Sequence, residues 1–183
     1  MHLVAPSRAQ LASFVEALRL GWSPSTEHDI SGEVLAEIEA DADAFLAGAD
    51  DRNPIGRTIT LPDGSVAARI PGFVRWMWDG EFCGSINLRW QDGTPDLPPH
   101  CLGHIGYSVV PWKQRRGYAT QALREMLPLA REVGLRYVEI TTDPDNLASQ
   151  RVVEANGGAL VEHITKHATS GGGPALLYRV TLD

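Results

Sequence analysis

Residues 104–134, HIGYSVVPWKQRRGYATQALREMLPLAREVG, decide the fold because they change character twice in a short span. HIGYSVV reads as a strand that stops at Pro111, and PWKQRRG reads as a basic turn closed by Gly117. From there Ala119, Ala122, Leu123, Met126, Leu127, Ala130 and Val133 recur at three- and four-residue spacing, which predicts an amphipathic helix with Gly134 just beyond its end. Pro128 falls inside that helix and predicts either a bend or a shorter helix. Strand, turn and helix in this order create an anion site. The first N–H groups of a helix have no intrahelical partner and carry the positive end of its dipole. Gly117 permits close backbone approach, and Arg115 and Arg116 add charge with fork-shaped donors. The alternative is an ordinary surface turn with incidental arginines.

Working outward, Leu135–Thr142 (LRYVEITT) reads as the next strand, and Asn146-x-x-Ser149 opens a helix followed by Glu154 and Gly157-Gly158. A hairpin-like C-terminal region with the glycine run SGGGP precedes a strand at Ala175–Thr181. Upstream, Leu11, Phe14, Val15 and Leu18 predict a helix over Ser7–Leu20 with Ser7 as its cap. A second helix over Gly32–Ala47 turns Val34, Leu35, Ile38, Ala42, Phe45 and Leu46 inward and its carboxylates outward, with Gly48 as a stop. Phe73–Trp78 and Glu81–Trp90 flank Asp79-Gly80, a pair suited to the type I′ turn of an antiparallel hairpin. The Pro- and Gly-rich stretch Gln91–Cys101 is a loop. No repeat or long linker divides the chain, so residues 1–183 form one domain.

Composition narrows the function. Sixteen Lys and Arg against 23 Asp and Glu leave a net charge of −7, which argues against nucleic acid as a partner and slightly favours a cationic substrate. No apolar run reaches the roughly 18 residues of a membrane span, and MHLVAPSRAQ lacks the basic and apolar regions of a signal peptide. Cys83 and Cys101 lie outside any CxxC spacing, so a reducing, cytoplasmic setting is expected. His163-x-x-x-His167 lacks a third ligand, and no metal is expected.

Gln114-Arg115-Arg116-Gly117-Tyr118-Ala119 resembles the (Gln/Arg)-x-x-Gly-x-(Gly/Ala) signature of the GCN5-related N-acetyltransferases, and the elements after it follow that family's order over about His104–Leu160. Gly103-His104-Ile105-Gly106-Tyr107 with Asn156-Gly157-Gly158 is more narrowly similar to a bacterial branch of predicted acetyltransferases. The resemblance implies an α/β (α+β) fold, a mixed, mostly antiparallel central sheet with a splayed parallel pair, flanked by helices. It also implies acetyl-CoA as acyl donor, a small-molecule or peptide amine as acceptor, and direct attack in a ternary complex; a homodimer is compatible. Backbone groups of Ser108, Val109 and Val110 would meet the pantetheine amides, and those of Gln114, Arg115, Arg116, Gly117, Tyr118, Ala119 and Thr120 the pyrophosphate. Asn146 and Ser149 would touch the pantetheine arm or, equally, serve only as helix caps.

The transfer needs a base and an acid. His104, at the start of the strand that borders the splay, is the candidate base; otherwise it is a structural histidine bonding the Pro-rich loop. Glu139 and His100 are weaker candidates. The tyrosine that relatives place seven residues after the Asn is Val153 here, so that acid is absent. Tyr107 alternates to the face opposite His104 and reads as packing, Tyr118 as a cover for the helix start, and Trp76 and Trp78 as core or dimer contacts before a cleft wall. A cofactor-binding domain without catalysis would keep the turn and lack these groups. A nucleotide-binding domain of another type is disfavoured by the absence of GxxxxGK(S/T) and GxGxxG.

Overall fold

The computed structural model describes residues 1–25, 28–61, 63–166 and 172–182; His167 and residues 170–171 of the Gly-rich run lie outside them. In chain order the elements are β1 (His2–Val4), α1 (Arg8–Arg19), α2 (Ser31–Gly48), β2 (Asp50–Asp51), β3 (Thr58–Thr60), β4 (Val66–Ala68), β5 (Gly72–Trp78), β6 (Phe82–Arg89), β7 (Ile105–Val109), α3 (Tyr118–Glu132), β8 (Tyr137–Thr142), α4 (Leu147–Glu154), β9 (Ala159–Thr165) and β10 (Pro174–Thr181). A single 3-10 turn, Pro111–Lys113, links β7 to the approach of α3.

Two sheets carry the site. One has the order β1-β5-β6-β7 with β2 on β5, and the other the order β8-β10-β9; all their pairings are antiparallel. The expected splay is complete, since β7 and β8 share no ladder and belong to different sheets. They are stitched together only just before β7 begins, where His104 N donates to Glu139 O at 2.8 Å and Thr141 Oγ1 donates to Leu102 O. Alternation along β5 and β6 sends Phe73, Met77, Ile86 and Leu88 to one face, where they pack with Leu123, Met126 and Ala130 of α3. The other face buries Trp76 and Phe82 against Phe14, Leu18 and Ile38 of α1 and α2, with Phe14 stacked on Trp76 at 4.6 Å. Trp76 is thus a core residue, 1% exposed.

Local geometry corrects several expectations. The hairpin between β5 and β6 has a three-residue connection in which Gly80 alone takes positive φ (113°), and the register shifts at Met77/Trp78; it is not a type I′ turn. The cause is Asp79, which is drawn into an ion-pair network described below. α2 is interrupted at Asp41 (φ −159°, ψ 95°), whose Oδ1 accepts from the N–H groups of Asp43 and Ala44 and so restarts the helix as a cap would. α3 runs unbroken through Pro128. Ser7 occupies the cap position of α1, but its hydroxyl goes to the Gln10 side chain instead of a helix N–H.

Candidate functional site

The turn before α3 is a row of unused donors. Arg115 (φ 61°) and Gly117 (φ 77°) both adopt left-handed backbone, which swings successive N–H groups to one side. Among the described residues, the N–H groups of residues 115–120 reach no protein acceptor; the first to do so is Gln121, to Gly117 O at 3.0 Å. A Cβ at Gly117 would meet nothing within 4 Å, so that space is open to a ligand. Arg115 and Arg116 are exposed beside it, and Gln114 turns back to place Nε2 3.3 Å from Val109 O. The dipole of α3, the unpaired donors and two guanidinium groups make this a site for a di-anionic group.

A second set of free backbone groups lies along β7. Val110 N donates to Cys83 O at 3.0 Å, and the register pairs Ser108 with Ser85 and Gly106 with Asn87. Antiparallel alternation then commits the main-chain groups of Gly106, Ser108 and Val110 to β6 and leaves those of Tyr107 and Val109 facing the gap toward β8. This corrects the expectation for Ser108 and Val110, whose main chain is spent within the sheet. The Ser108 hydroxyl instead accepts from Trp22 Nε1 at 3.0 Å, on the α1 side of the sheet.

Side chains around the gap are held by specific partners. Asn146 caps α4 by accepting from Ser149 N at 3.0 Å. The Ser149 hydroxyl lies 2.9 Å from the Tyr107 hydroxyl, which joins β7 to the start of α4, and burial pushes that phenol up to about 12. Under the phosphate-type turn, buried Lys113 donates to Asp79 Oδ1 at 2.7 Å and contacts Glu81 Oε2 at 3.1 Å, while the Tyr118 hydroxyl donates to Asp79 Oδ2 at 2.7 Å. Burial alone would raise the Asp79 carboxyl, but the hydrogen bonds from Lys113 and Tyr118 hold it well below the usual carboxylate range. Cys83, 3.7 Å from Lys113 Nζ, is pushed up to about 11 by burial and is no nucleophile at neutral pH. Sequence reading singled out Asp79 only as a turn residue of the hairpin and gave Lys113 no role of its own; their pairing joins segments 34 residues apart.

The candidate proton carriers separate. His104 has no exposed surface; its Nε2 lies 3.0 Å from Pro95 O and its Nδ1 accepts from Glu139 N at 3.0 Å. Those partners require a neutral ring protonated at Nε2, and burial lowers its pKa below the ordinary histidine value. Both nitrogens are occupied, so the structural alternative, a histidine bonding the Pro-rich loop, describes the residue. Glu139 is paired with Arg179 at 2.6 Å, and that guanidinium covers the Tyr137 ring at 4.0 Å. His100 is half-buried in the loop, with Nε2 unpartnered among the described residues. His163 is exposed on β9. No group of three metal-ligating side chains occurs among the described residues, and no helix there is long and apolar enough to cross a membrane.

Residues 35–159 match the profile of the acetyltransferase (GNAT) domain. A search of curated proteins by sequence returns no match. Among solved structures, the chain is similar to the microcin C7 self-immunity acetyltransferase MccE in complex with acetyl-CoA and AMP (TM-score 0.64, 11% identity, 98% of this chain and 91% of that one). It is also similar to RimL, the ribosomal L7/L12 alpha-N-protein acetyltransferase, in complex with coenzyme A (TM-score 0.62, 14% identity, 99% and 93%). A third is the Salmonella typhimurium acetyltransferase that modifies the N-terminal serine of ribosomal protein L7/L12 (TM-score 0.61, 15% identity, 99% and 94%). At these identities the likeness is one of fold.

Proposed function

The chain belongs to the GNAT acetyltransferase family, and on that premise we propose that it is an acetyl-CoA-dependent N-acetyltransferase acting on a primary amine by direct attack. The observation that carries this reading is the pairing of two sets of unspent backbone donors, the N–H row of residues 115–120 and the N–H groups of Tyr107 and Val109 along the open edge of β7. The first fits a pyrophosphate and the second an extended chain bearing amides. Acetyl-CoA, when bound, supplies the activated acetyl group as a thioester.

The chain's own residues then position and stabilise. Val109 N–H faces the gap and offers a hydrogen bond to the thioester oxygen as negative charge develops there. The Tyr107 hydroxyl, kept protonated and anchored on Ser149, supplies the proton for the departing thiolate and regains one from water. As the new C–N bond forms and the C–S bond breaks, the amine proton leaves to water, because His104 is a neutral clamp whose nitrogens are both in use. That lack of a free base favours a second reading, an acyl-CoA-binding domain without turnover. Calorimetric titration with acetyl-CoA and ATP, followed by a free-thiol release assay over an amine panel, tests both. Binding of acetyl-CoA with thiol release supports the enzyme, binding without release supports the second reading, and failure to bind overturns both.

A further inference from the structure

The turn that presents residues 115–120 has little to hold it from within. Gln114 N donates to Pro111 O at 3.4 Å and Gln121 N to Gly117 O, and among the described residues no backbone N–H between them is bonded. Arg115 nevertheless keeps a left-handed φ of 61°, which an L side chain resists. Two local side-chain contacts are long: Gln114 Nε2 to Val109 O at 3.3 Å and Arg116 Nη2 to Trp112 O at 3.5 Å. Asn156 Nδ2 anchors Thr120 O at 3.1 Å, but beyond the left-handed residues. The two short contacts both end on Asp79. Its Oδ1 accepts from Lys113, two residues before Arg115, and its Oδ2 from Tyr118, the residue after Gly117, each at 2.7 Å.

Charge does not account for this carboxylate. Lys113 is buried, and its three ammonium hydrogens meet three acceptors: Asp79 Oδ1, Glu81 Oε2 at 3.1 Å and Cys83 Sγ at 3.7 Å. One ammonium against two carboxylates leaves this cluster with a net negative charge beside a turn whose open donors suit an anion. By Coulomb's law that charge opposes a phosphate. Asp79 therefore contributes by geometry. It is itself well anchored, because Oδ1 also accepts from Glu81 N at 3.3 Å and the next residue, Phe82, donates its N–H to Ser13 Oγ of α1 at 2.9 Å.

Resting on the acetyltransferase reading above, we propose that Asp79 is a positioning residue for the cofactor: a staple from the β5–β6 hairpin that closes the 113–118 segment from both ends and holds its N–H row in the shape that a pyrophosphate needs. The donors are then aligned before the ligand arrives, and binding does not have to order the turn. Tyr107 and Val109, whose N–H groups face the gap where the amide-bearing arm would lie, fall outside the stapled segment. The staple therefore acts on the phosphates and not on the arm.

Two substitutions at Asp79 in the intact chain separate geometry from charge. Asp79→Ala removes both ties and one negative charge. Asp79→Asn removes the same charge but keeps an oxygen for Lys113 and an amide that can donate to the Tyr118 oxygen. If charge decided, both variants would bind coenzyme A more tightly. The staple predicts by calorimetry a loss of about tenfold in Asp79→Ala and of at most about twofold in Asp79→Asn, at low and high salt alike, with the affinity for pantetheine unchanged. Tyr118→Phe should add nothing in the Asp79→Ala background, because the tie it cuts is already gone. Asp79→Ala/Lys113→Met, which leaves no buried ammonium unpaired and keeps the cluster's net charge, should show the same loss if the single variant folds poorly. Equal losses in Asp79→Ala and Asp79→Asn, or an equal loss of pantetheine affinity, overturn the proposal. Inorganic pyrophosphate separates it from the reading on which it rests. A wild-type protein that binds pyrophosphate but not coenzyme A, with pyrophosphate weakened in Asp79→Ala, supports the staple and overturns the acetyl-CoA reading. Coenzyme A binding untouched or tightened by Asp79→Ala does the reverse, and binding of neither ligand overturns both.

Discussion

Two regions beside the first sheet, the turn before α3 and the cavity under α1 and α2, are built from different materials. On the donor side, the anion site is main chain: six consecutive N–H groups at residues 115–120, presented by two left-handed residues and the start of one helix. On the α1–α2 side, the cavity is side chain: Phe14 from α1, Glu37 and Asp41 from α2, Arg57 and Arg69 from loops, and Trp76 and Ser85 from two strands. A main-chain site depends on conformation, which a few neighbouring residues dictate, and it tolerates wide change elsewhere. A side-chain site depends on where distant segments meet, so a single surface substitution can retune it. A fixed main-chain site and a variable side-chain cavity are the expected outcome of this division.

The sharpest way to break the comparison is at Gly117. Gly117→Glu puts a carboxylate where the N–H row meets an anion, in a backbone conformation that L residues resist, and the affinity for acetyl-CoA should fall by at least about 100-fold. Because a Cβ there meets no protein atom, the circular dichroism spectrum should stay native and Tm should drop only modestly. Unchanged affinity by calorimetry would show that the turn does not hold the donor.

His104 sharpens the comparison from the other direction, since it belongs to neither side and joins the two sheets. His104→Ala leaves Pro95 O and Glu139 N unpaired in a buried place and should cost about 2–3 kcal/mol of stability by urea unfolding. Its folded pKa is depressed, so the unfolded chain binds the proton more readily. Its contribution is complete above the ordinary value near 6.5 and is lost as pH falls below it, and the wild-type protein should lose stability there more steeply than His104→Ala. The variant's acidic limb in kcat/KM should match the wild type, because the limb belongs to the amine substrate. Loss of that limb would restore His104 as the base.

How much of this was legible follows the same division. The helix over 118–132 and the strand before it could be read because periodicity is a local signal, and Gly117 stood out as the point of close backbone approach, though not as the left-handed cap that it is. The Asp79-Gly80 hairpin was legible as a pairing but not as a turn, since Lys113, 34 residues away, pulls Asp79 into an ion pair. His104 could be placed at the strand's start, yet its role depended on Pro95 and Glu139, which no spacing in the sequence brings together. The cavity was invisible for the same reason, and the break at Asp41 was masked by a helix pattern that continues on both sides of it.

Tyr118 tests whether the main-chain site is self-sufficient. Its hydroxyl ties the first residue of α3 to Asp79, and through Asp79 to Lys113 and the hairpin tip. Tyr118→Phe should raise the Kd for acetyl-CoA about fivefold while leaving the KM for the acceptor unchanged, a split that general loosening of the fold would not produce. An equal rise in both constants would count against a positioning role.

The smallest effect is expected from Arg115 and Arg116. Both are exposed; Arg116 makes a long contact to Trp112 O at 3.5 Å and also interacts with the Tyr118 hydroxyl. Their charge is therefore screened by solvent, and Arg115→Ala/Arg116→Ala should weaken coenzyme A about three- to fivefold at low salt and less at high salt. Affinity for pantetheine, which carries no phosphate, should not change. Arg115 adds a control of its own, because its φ of 61° is strained for any L residue but glycine. Arg115→Gly/Arg116→Ala removes the same two charges and relieves the strain. If charge is what the arginines supply, both double variants lose the same affinity for coenzyme A. If they act by setting the turn, the glycine version recovers it, and the main chain alone holds the anion.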